Sequence, residues 1–174
     1  LVCYLFSKEG SRTDEPHSKV EKEIKGSILA EASINGHKMG LVFYAISWTL
    51  LAYFFFDNLM IASIGIVCMA YGDGMGGLIG KRYGGRKIHG NKTIEGTLAV
   101  FVFAAIACMV VFVFYNYLYF NGIYGTQSVE AMWVVPIGLA VAAYVAMVAL
   151  YTPGEYDNLV LPLTTVIILS LAGI

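Results

Sequence analysis

Residues 97–120 read TLAVFVFAAIACMVVFVFYNYLYF and contain no charged side chain. A transmembrane helix needs about 20 consecutive, mostly apolar residues. Since this stretch exceeds that length, it predicts a helix that crosses a lipid bilayer. This one segment argues against an ordinary water-soluble fold, because a compact soluble domain would have to bury the whole of this uncharged run away from water.

The composition of the whole chain supports the same class. Of the 174 residues, 58% are hydrophobic and 13% are charged, whereas a typical soluble domain is roughly 45–50% apolar and about 25% charged. These values exclude a cytosolic domain, a disordered protein and a disulfide scaffold. The net charge of -1 gives no reason to expect nucleic-acid binding.

Further apolar runs occur at residues 39–56, 59–71, 131–151 and 159–174, and the Gly-rich stretch 72–80 can extend the second of them. An apolar stub at residues 1–6 is interpreted as the end of another helix, which predicts that the N-terminus is incomplete. We therefore predict an all-α fold: a polytopic integral-membrane helical bundle of about five to six transmembrane helices. Residues 1–174 form a single domain in this prediction.

The lysines and arginines fall into two segments, residues 8–38 and 81–92. Two predicted spans separate these segments, so both face the same side, which the positive-inside rule makes the cytoplasm. Residues 152–158 return to that side after two more spans. The prediction is a cytoplasmic face built from segments 7–38, 72–96 and 152–158, the last being an active-site loop. A transporter is the weaker alternative, because the spans contain almost no ionisable residues to line a path.

The segment at residues 71–96 reads YGDGMGGLIGKRYGGRKIHGNKTIEG. Glycine allows backbone N–H groups to converge on an anion, and neighbouring Lys and Arg neutralise phosphate oxygens. Mg²⁺ is usually held by one or two carboxylates together with substrate phosphates. The combination predicts a Gly-rich nucleotide-binding loop at residues 72–96, with Asp73 as a magnesium ligand.

Two simpler interpretations compete for parts of this segment. Gly76 and Gly80 have the spacing of a helix-packing face of the GxxxG type. Arg86 and Lys87 are also explained by a topogenic signal or by contact with anionic lipid. Neither explains Asp73 at the membrane boundary, since acidic groups in the membrane are costly and usually functional.

The same residues resemble a known signature. Asp73, Gly80, Gly84 and the run Lys92-Thr93-Ile94-Glu95-Gly96 resemble the nucleotide-binding motif of the dolichol kinase and phytol kinase family. Glu23-Ile24-Lys25-Gly26 is similar to the family's Glu-x-x-Gly segment, and Asp157-Asn158-Leu159 with Pro162 is similar to its Asp-Asn-Leu-x-x-Pro element. The resemblance covers residues 22–163, with the motifs in the same order.

The resemblance implies an integral-membrane kinase that uses CTP, or another nucleoside triphosphate, and Mg²⁺ to phosphorylate a lipid alcohol. It implies roles for specific residues. The catalytic candidates are Asp73, Lys92, Glu95, Asp157 and Asn158, with Asp73 and Asp157 as metal ligands. The nucleotide-binding candidates are Gly74, Gly77, Gly80, Lys81, Arg82, Gly84, Lys92, Thr93 and Gly96, with Glu23 and Lys25 as additional ones.

Several alternatives remain open. Thr93 and Glu95 are equally well explained as the start of the next helix, and Asp157-Asn158 as a turn before a span. A CTP-dependent cytidylyltransferase that makes CDP-lipids, or a lipid-monophosphate kinase, would use similar residues. The partners are the bilayer, a nucleotide and a lipid alcohol such as dolichol, phytol or geranylgeraniol; neither the alcohol nor the base is identified.

Overall fold

The computed structural model describes residues 40–125, 128–152, 154 and 156–174. These residues are mostly helical, as predicted, with one small β-hairpin that was not predicted. The elements in chain order are α1 (Gly40–Phe54), α2 (Leu59–Val67), a π-helical segment (Cys68–Asp73), α3 (Gly74–Tyr83), β1 (Lys87–His89), β2 (Lys92–Thr93), α4 (Ile94–Phe120), α5 (Ala131–Tyr151) and α6 (Asp157–Leu171).

Three helical stretches are long and apolar enough to cross a bilayer: Leu59–Tyr83, Ile94–Phe120 and Ala131–Tyr151. They match three of the predicted spans and indicate a membrane protein. The other two predicted spans correspond to α1 and α6, which are apolar helices of 15 residues each. Since that is shorter than the usual spanning length of about 20 residues, a bundle of five spans stays a prediction.

The prediction of a Gly-rich loop at residues 72–96 is wrong for its first half, which belongs to the helical stretch Leu59–Tyr83. The chain continues from α2 through the π-helical segment into α3, so residues 72–83 are helical and only residues 84–93 leave the helix. Each glycine in a helix costs about 1 kcal/mol relative to alanine. Close packing offsets this cost, because Gly72 and Gly76 are buried against α4.

Helix α4 is the centre of the bundle and packs against α2, α3 and α5. Its buried stripe consists mainly of small residues, among them Ala104, Ala105 and Cys108, and α5 presents a similar stripe that includes Ala142 and Ala146. Small residues let helix backbones approach closely in a membrane, where lipid gives helices no hydrophobic reason to associate. Phe112, which is fully buried, lies further along α4 toward its C-terminus and packs into the same core.

The helix ends fall into two groups. At one end, Asn58 caps α2 and donates a hydrogen bond to the carbonyl of Ile174, and the Tyr124 hydroxyl accepts one from the amide of Leu59. At the other end lie the end of α3, the hairpin, the start of α4, the end of α5 and the starts of α1 and α6. Every predicted site residue after Lys38, except the deeper Asp73 and Gly74, belongs to this second end, which we call the hairpin end.

Candidate active site

An ion pair joins two distant parts of the chain at the hairpin end. The Lys92 ammonium lies 2.6 Å from Oδ2 of Asp157, across 65 positions of sequence. The Asp157 side chain is 3% exposed, whereas that of Lys92 is 33% exposed. The pair therefore compensates a buried carboxylate with a lysine whose side chain stays partly exposed, so that Lys92 can meet an anion.

The hairpin that carries Lys92 is fixed to α4. Thr93 begins that helix as its cap: its hydroxyl accepts a hydrogen bond from the Gly96 amide at 3.2 Å. Glu95, in the first turn, accepts one from the Gly85 amide at 3.1 Å. The positive φ of Gly90 forms the turn between the strands. The capping interpretation of Thr93 is confirmed, and Glu95 acts on the backbone of the preceding loop.

Asn158 ties α6 to α1. Its side-chain amide donates to the carbonyl of Gly40 at 3.2 Å, and its own carbonyl accepts a hydrogen bond from the Ser47 hydroxyl. Ser47 is fully buried. These contacts hold the start of α6, and with it Asp157, in a fixed position. In the structure, Asn158 therefore positions its neighbour Asp157 through its contacts with α1.

The glycines divide into two groups by their surroundings. A Cβ on Gly76 would lie 2.2 Å from Cγ2 of Val100, and one on Gly84 would lie 2.1 Å from the carbonyl oxygen of Gly80. Gly96 also fits tightly, since its Cβ would lie 3.0 Å from the carbonyl oxygen of Gly76. These glycines, together with Gly80, allow α3 and α4 to touch, which confirms the GxxxG interpretation of Gly76 and Gly80.

Gly74 and Gly77 behave differently, because a Cβ on either would meet nothing within 4 Å. Both are exposed and follow Asp73 along α3. Residues four apart share a face of a helix, so Asp73, Gly77 and Lys81 form one strip, with Gly74 beside it. The strip offers open backbone between a half-buried carboxylate and an exposed ammonium.

The strip runs along the axis of α3, from the hairpin end toward the interior of the bundle. Gly80 lies against Thr93 at the start of α4, whereas Gly72 lies against Ala104, further into the bundle. Lys81 is therefore level with the hairpin, and Asp73 lies deeper by about 12 Å, given the helical rise of roughly 1.5 Å per residue. Arg82, also at the outer level, stacks on the ring of Tyr83 at 5.5 Å.

The acidic side chains of the site bear on whether it could hold a metal ion. No group of three or more His, Cys, Asp or Glu side chains that could hold a metal occurs among residues 40–125, 128–152, 154 and 156–174. Mg²⁺ is commonly bound through one or two carboxylates plus substrate phosphates, and a carboxylate beside open backbone fits that mode. Asp73 has these surroundings, and one oxygen of Asp157 already accepts from Lys92.

Some predicted site residues are not described by the structure, and some contacts in the structure were not predicted. Glu23 and Lys25, with segment 7–38 and the stub at 1–6, lie outside the described residues. The contacts of Ser47 and Gly85 were missed; a single serine in an apolar run was the available signal for Ser47. A cavity of about 340 Å³ beside Met60, Trp133 and Ile137 lies at the opposite end of the bundle and does not serve this site.

Two known proteins, both named as phytol kinases, are similar to this chain in sequence. The chain is 42% identical to the phytol kinase of Synechocystis sp. over 90 residues, which cover 49% of this chain and 38% of that protein. It is 28% identical to the probable phytol kinase 3, chloroplastic, of Glycine max over 138 residues, which cover 76% of this chain and 40% of that protein. The chain is similar in sequence to these two phytol kinases.

This similarity confirms the predicted resemblance to the dolichol kinase and phytol kinase family, since both proteins are named phytol kinases. The chain spans about two fifths of the length of these two relatives. No family model matches the chain. No solved structure matches it either.

Proposed function

We propose that this chain forms the catalytic part of a membrane lipid-alcohol kinase. The enzyme transfers the γ-phosphate of a nucleoside triphosphate, CTP by preference, to a polyprenol-type alcohol such as phytol, dolichol or geranylgeraniol. The observation that carries the proposal is the ion pair of Lys92 and Asp157 at the hairpin end. It sets a partly exposed cation at the boundary where a water-soluble donor meets a lipid-soluble acceptor, in a chain related to phytol kinases.

The reaction joins the alcohol oxygen to the γ-phosphorus and breaks the bond from that phosphorus to the β,γ-bridging oxygen, which leaves with the nucleoside diphosphate. Phosphoryl transfer depends mainly on positioning and charge neutralisation. Lys81, Arg82 and Lys92 are three of the cations at the outer level, and we assign them to the phosphates. Gly74 and Gly77 expose backbone on the same helix and allow close approach of the substrate.

Mg²⁺ would neutralise the β- and γ-phosphates when bound. Asp73 is our candidate ligand, and Asp157 is the second. Because Asp73 lies deeper than Lys81, we propose that the phosphates extend from the outer cations down the strip, past Gly77, toward Asp73, and that the strip connects the membrane interior to the hairpin end. An alcohol held in the bilayer can raise its hydroxyl along this strip to meet the phosphates. The cytoplasmic orientation of this end follows from the positive-inside rule.

The experiment offers γ-labelled CTP, ATP or UTP with Mg²⁺ to the full-length protein purified in detergent, together with phytol, geranylgeraniol or a polyprenol. We expect a labelled lipid phosphate and release of nucleoside diphosphate. Release of pyrophosphate from a lipid-phosphate acceptor would instead identify a cytidylyltransferase. If no alcohol is phosphorylated with any nucleotide, the proposal is wrong.

Asp73→Asn tests the metal role, and Asp57→Asn is its matched control because Asp57 is an exposed acid at the opposite end. We expect Asp73→Asn to abolish transfer without loss of folded protein, and Asp57→Asn to leave transfer unchanged. Turnover at the wild-type rate in Asp73→Asn would remove that residue from the mechanism.

A further inference from the structure

We propose that the β-hairpin, residues 84–93, is a contact surface for the headgroups of anionic lipids in the bilayer that the protein spans. The surface consists of Arg86, Lys87 and the exposed side chain of Ile88. It is separate from the cations assigned above to the nucleotide, and the inference does not depend on the proposed kinase activity.

The surface carries two adjacent positive charges. Arg86 and Lys87 are exposed, and in the part of the chain that the structure describes neither forms an ion pair. The acids nearby have other contacts: Glu95 accepts from the Gly85 amide, and Asp157 accepts from Lys92. Neither cation therefore has an ion-pair partner among the described residues, and both can meet an external anion.

The surface is also held in place. The Ile94 amide donates to the Arg86 carbonyl at 3.1 Å, and Lys87 pairs with Thr93 across the hairpin. Together with the contact between Glu95 and Gly85, these bonds connect the strand to the start of α4. The cations are presented on a fixed ribbon, so binding an anion to them costs little ordering of the backbone.

The position of the ribbon corresponds to the membrane boundary. The His89 ring lies 5.6 Å from the ring of Tyr151, the last residue of α5. Tyr151, Tyr83 and Tyr156 are all exposed and lie at helix ends on this side, as expected of an interfacial aromatic belt. Since α5 is one of the spans, a strand beside its last residue lies at headgroup depth.

Ile88 distinguishes a lipid from a soluble anion. It is 51% exposed although it stands between charged and polar neighbours. A nucleotide would neutralise Arg86 and Lys87 but would leave this apolar side chain in water. A bilayer boundary supplies both a phosphate layer for the cations and apolar material for Ile88, as it does for amphipathic segments that lie in the interface.

Fluorescence quenching tests the surface without any catalytic readout. A single tryptophan is introduced by Ile88→Trp, with Trp48→Phe and Trp133→Phe, and the protein is reconstituted with brominated phosphatidylglycerol or brominated phosphatidylcholine. We expect preferential quenching by the anionic lipid, about fivefold in relative association for each cation. Arg86→Gln with Lys87→Gln should reduce the preference to about one. A variant that retains only Trp133, at the opposite end, should show no preference.

Equal quenching by the two lipids at position 88, or a preference that persists in the Arg86→Gln, Lys87→Gln protein, overturns the inference. A role in nucleotide binding predicts a different result. In that case the double variant raises KM for the nucleotide and leaves the lipid preference unchanged. Failure of the lipid assay says nothing against kinase activity, which is measured separately with soluble nucleotide and detergent-solubilised alcohol.

Discussion

The ion pair of Lys92 and Asp157 is asymmetric, and this asymmetry predicts unequal effects of its two partners. Lys92→Met removes the cation that lies 2.6 Å from a nearly buried carboxylate, whereas Asp157→Asn removes the buried charge itself. Breaking a buried pair from one side costs about 3–5 kcal/mol; because Lys92 is one-third exposed, we expect about 2 kcal/mol. Thermal unfolding in detergent should show Lys92→Met as the less stable variant.

The double variant, Lys92→Met with Asp157→Asn, should recover part of the lost stability because the buried negative charge is then removed together with the cation of the pair. Lys87→Met is the control, since Lys87 is exposed, and its unfolding temperature should equal that of the wild type. We expect all variants at positions 92 and 157 to lose phosphoryl transfer. A double variant as unstable as Lys92→Met would contradict the role of the pair in stability.

Glu95 provides a second prediction at the level of single residues. Its contact with the Gly85 amide needs an acceptor oxygen but no negative charge. Glu95→Gln keeps that oxygen and should retain most of the activity, whereas Glu95→Ala loses the contact and should raise KM for the nucleotide several-fold. If Glu95→Gln is as inactive as Glu95→Ala, the carboxylate acts directly in the reaction and the positioning role is wrong.

At the level of single elements, α3 carries two adjacent glycines with different predicted roles: Gly76 in helix packing and Gly77 in nucleotide binding. Gly76→Ala would force a Cβ to within 2.2 Å of Val100, and overpacking of this kind costs about 1–3 kcal/mol. Gly77→Ala meets nothing and should stabilise the helix by up to about 1 kcal/mol. If Gly77 allows close approach of the nucleotide, the same variant should bind nucleotide more weakly while it unfolds at a higher temperature. Nucleotide titration and thermal unfolding check the two effects, and unchanged affinity in Gly77→Ala would exclude that close approach.

The same helix shows what the sequence predicts and where prediction ends. Uncharged length was enough to locate the three long helices, since lipid demands it of any span. Glycine in segment 72–96 has two physical uses, open backbone and close helix contact, and the sequence does not separate them. Only the partner residues do: Val100 and Gly96 face Gly76 and Gly80, and nothing faces Gly77. The ion pair of Lys92 and Asp157 is likewise a consequence of tertiary packing across distant segments.

At the scale of the whole molecule, the described charges are polarised along the bundle. Lys81, Arg82, Arg86, Lys87 and Lys92 lie at the hairpin end, whereas Asp57 and Glu130 lie beyond the other ends of the helices. The positive-inside rule predicts from this polarity that the hairpin faces the cytoplasm. A nucleotide from the cytoplasm reaches the site only in this orientation, so the topology is a condition of the proposed function.

Single-cysteine labelling tests that orientation across one helix. In a protein with Cys3, Cys68 and Cys108 replaced by alanine, Asn91→Cys reports on the hairpin turn and Asn121→Cys on the residue that follows α4; both positions are exposed. A membrane-impermeant maleimide should label position 91 only in inside-out vesicles and position 121 only in right-side-out ones. Labelling of both from the same side would mean that α4 does not cross the bilayer, and the reverse pattern would mean that the site faces away from the cytoplasmic nucleotide.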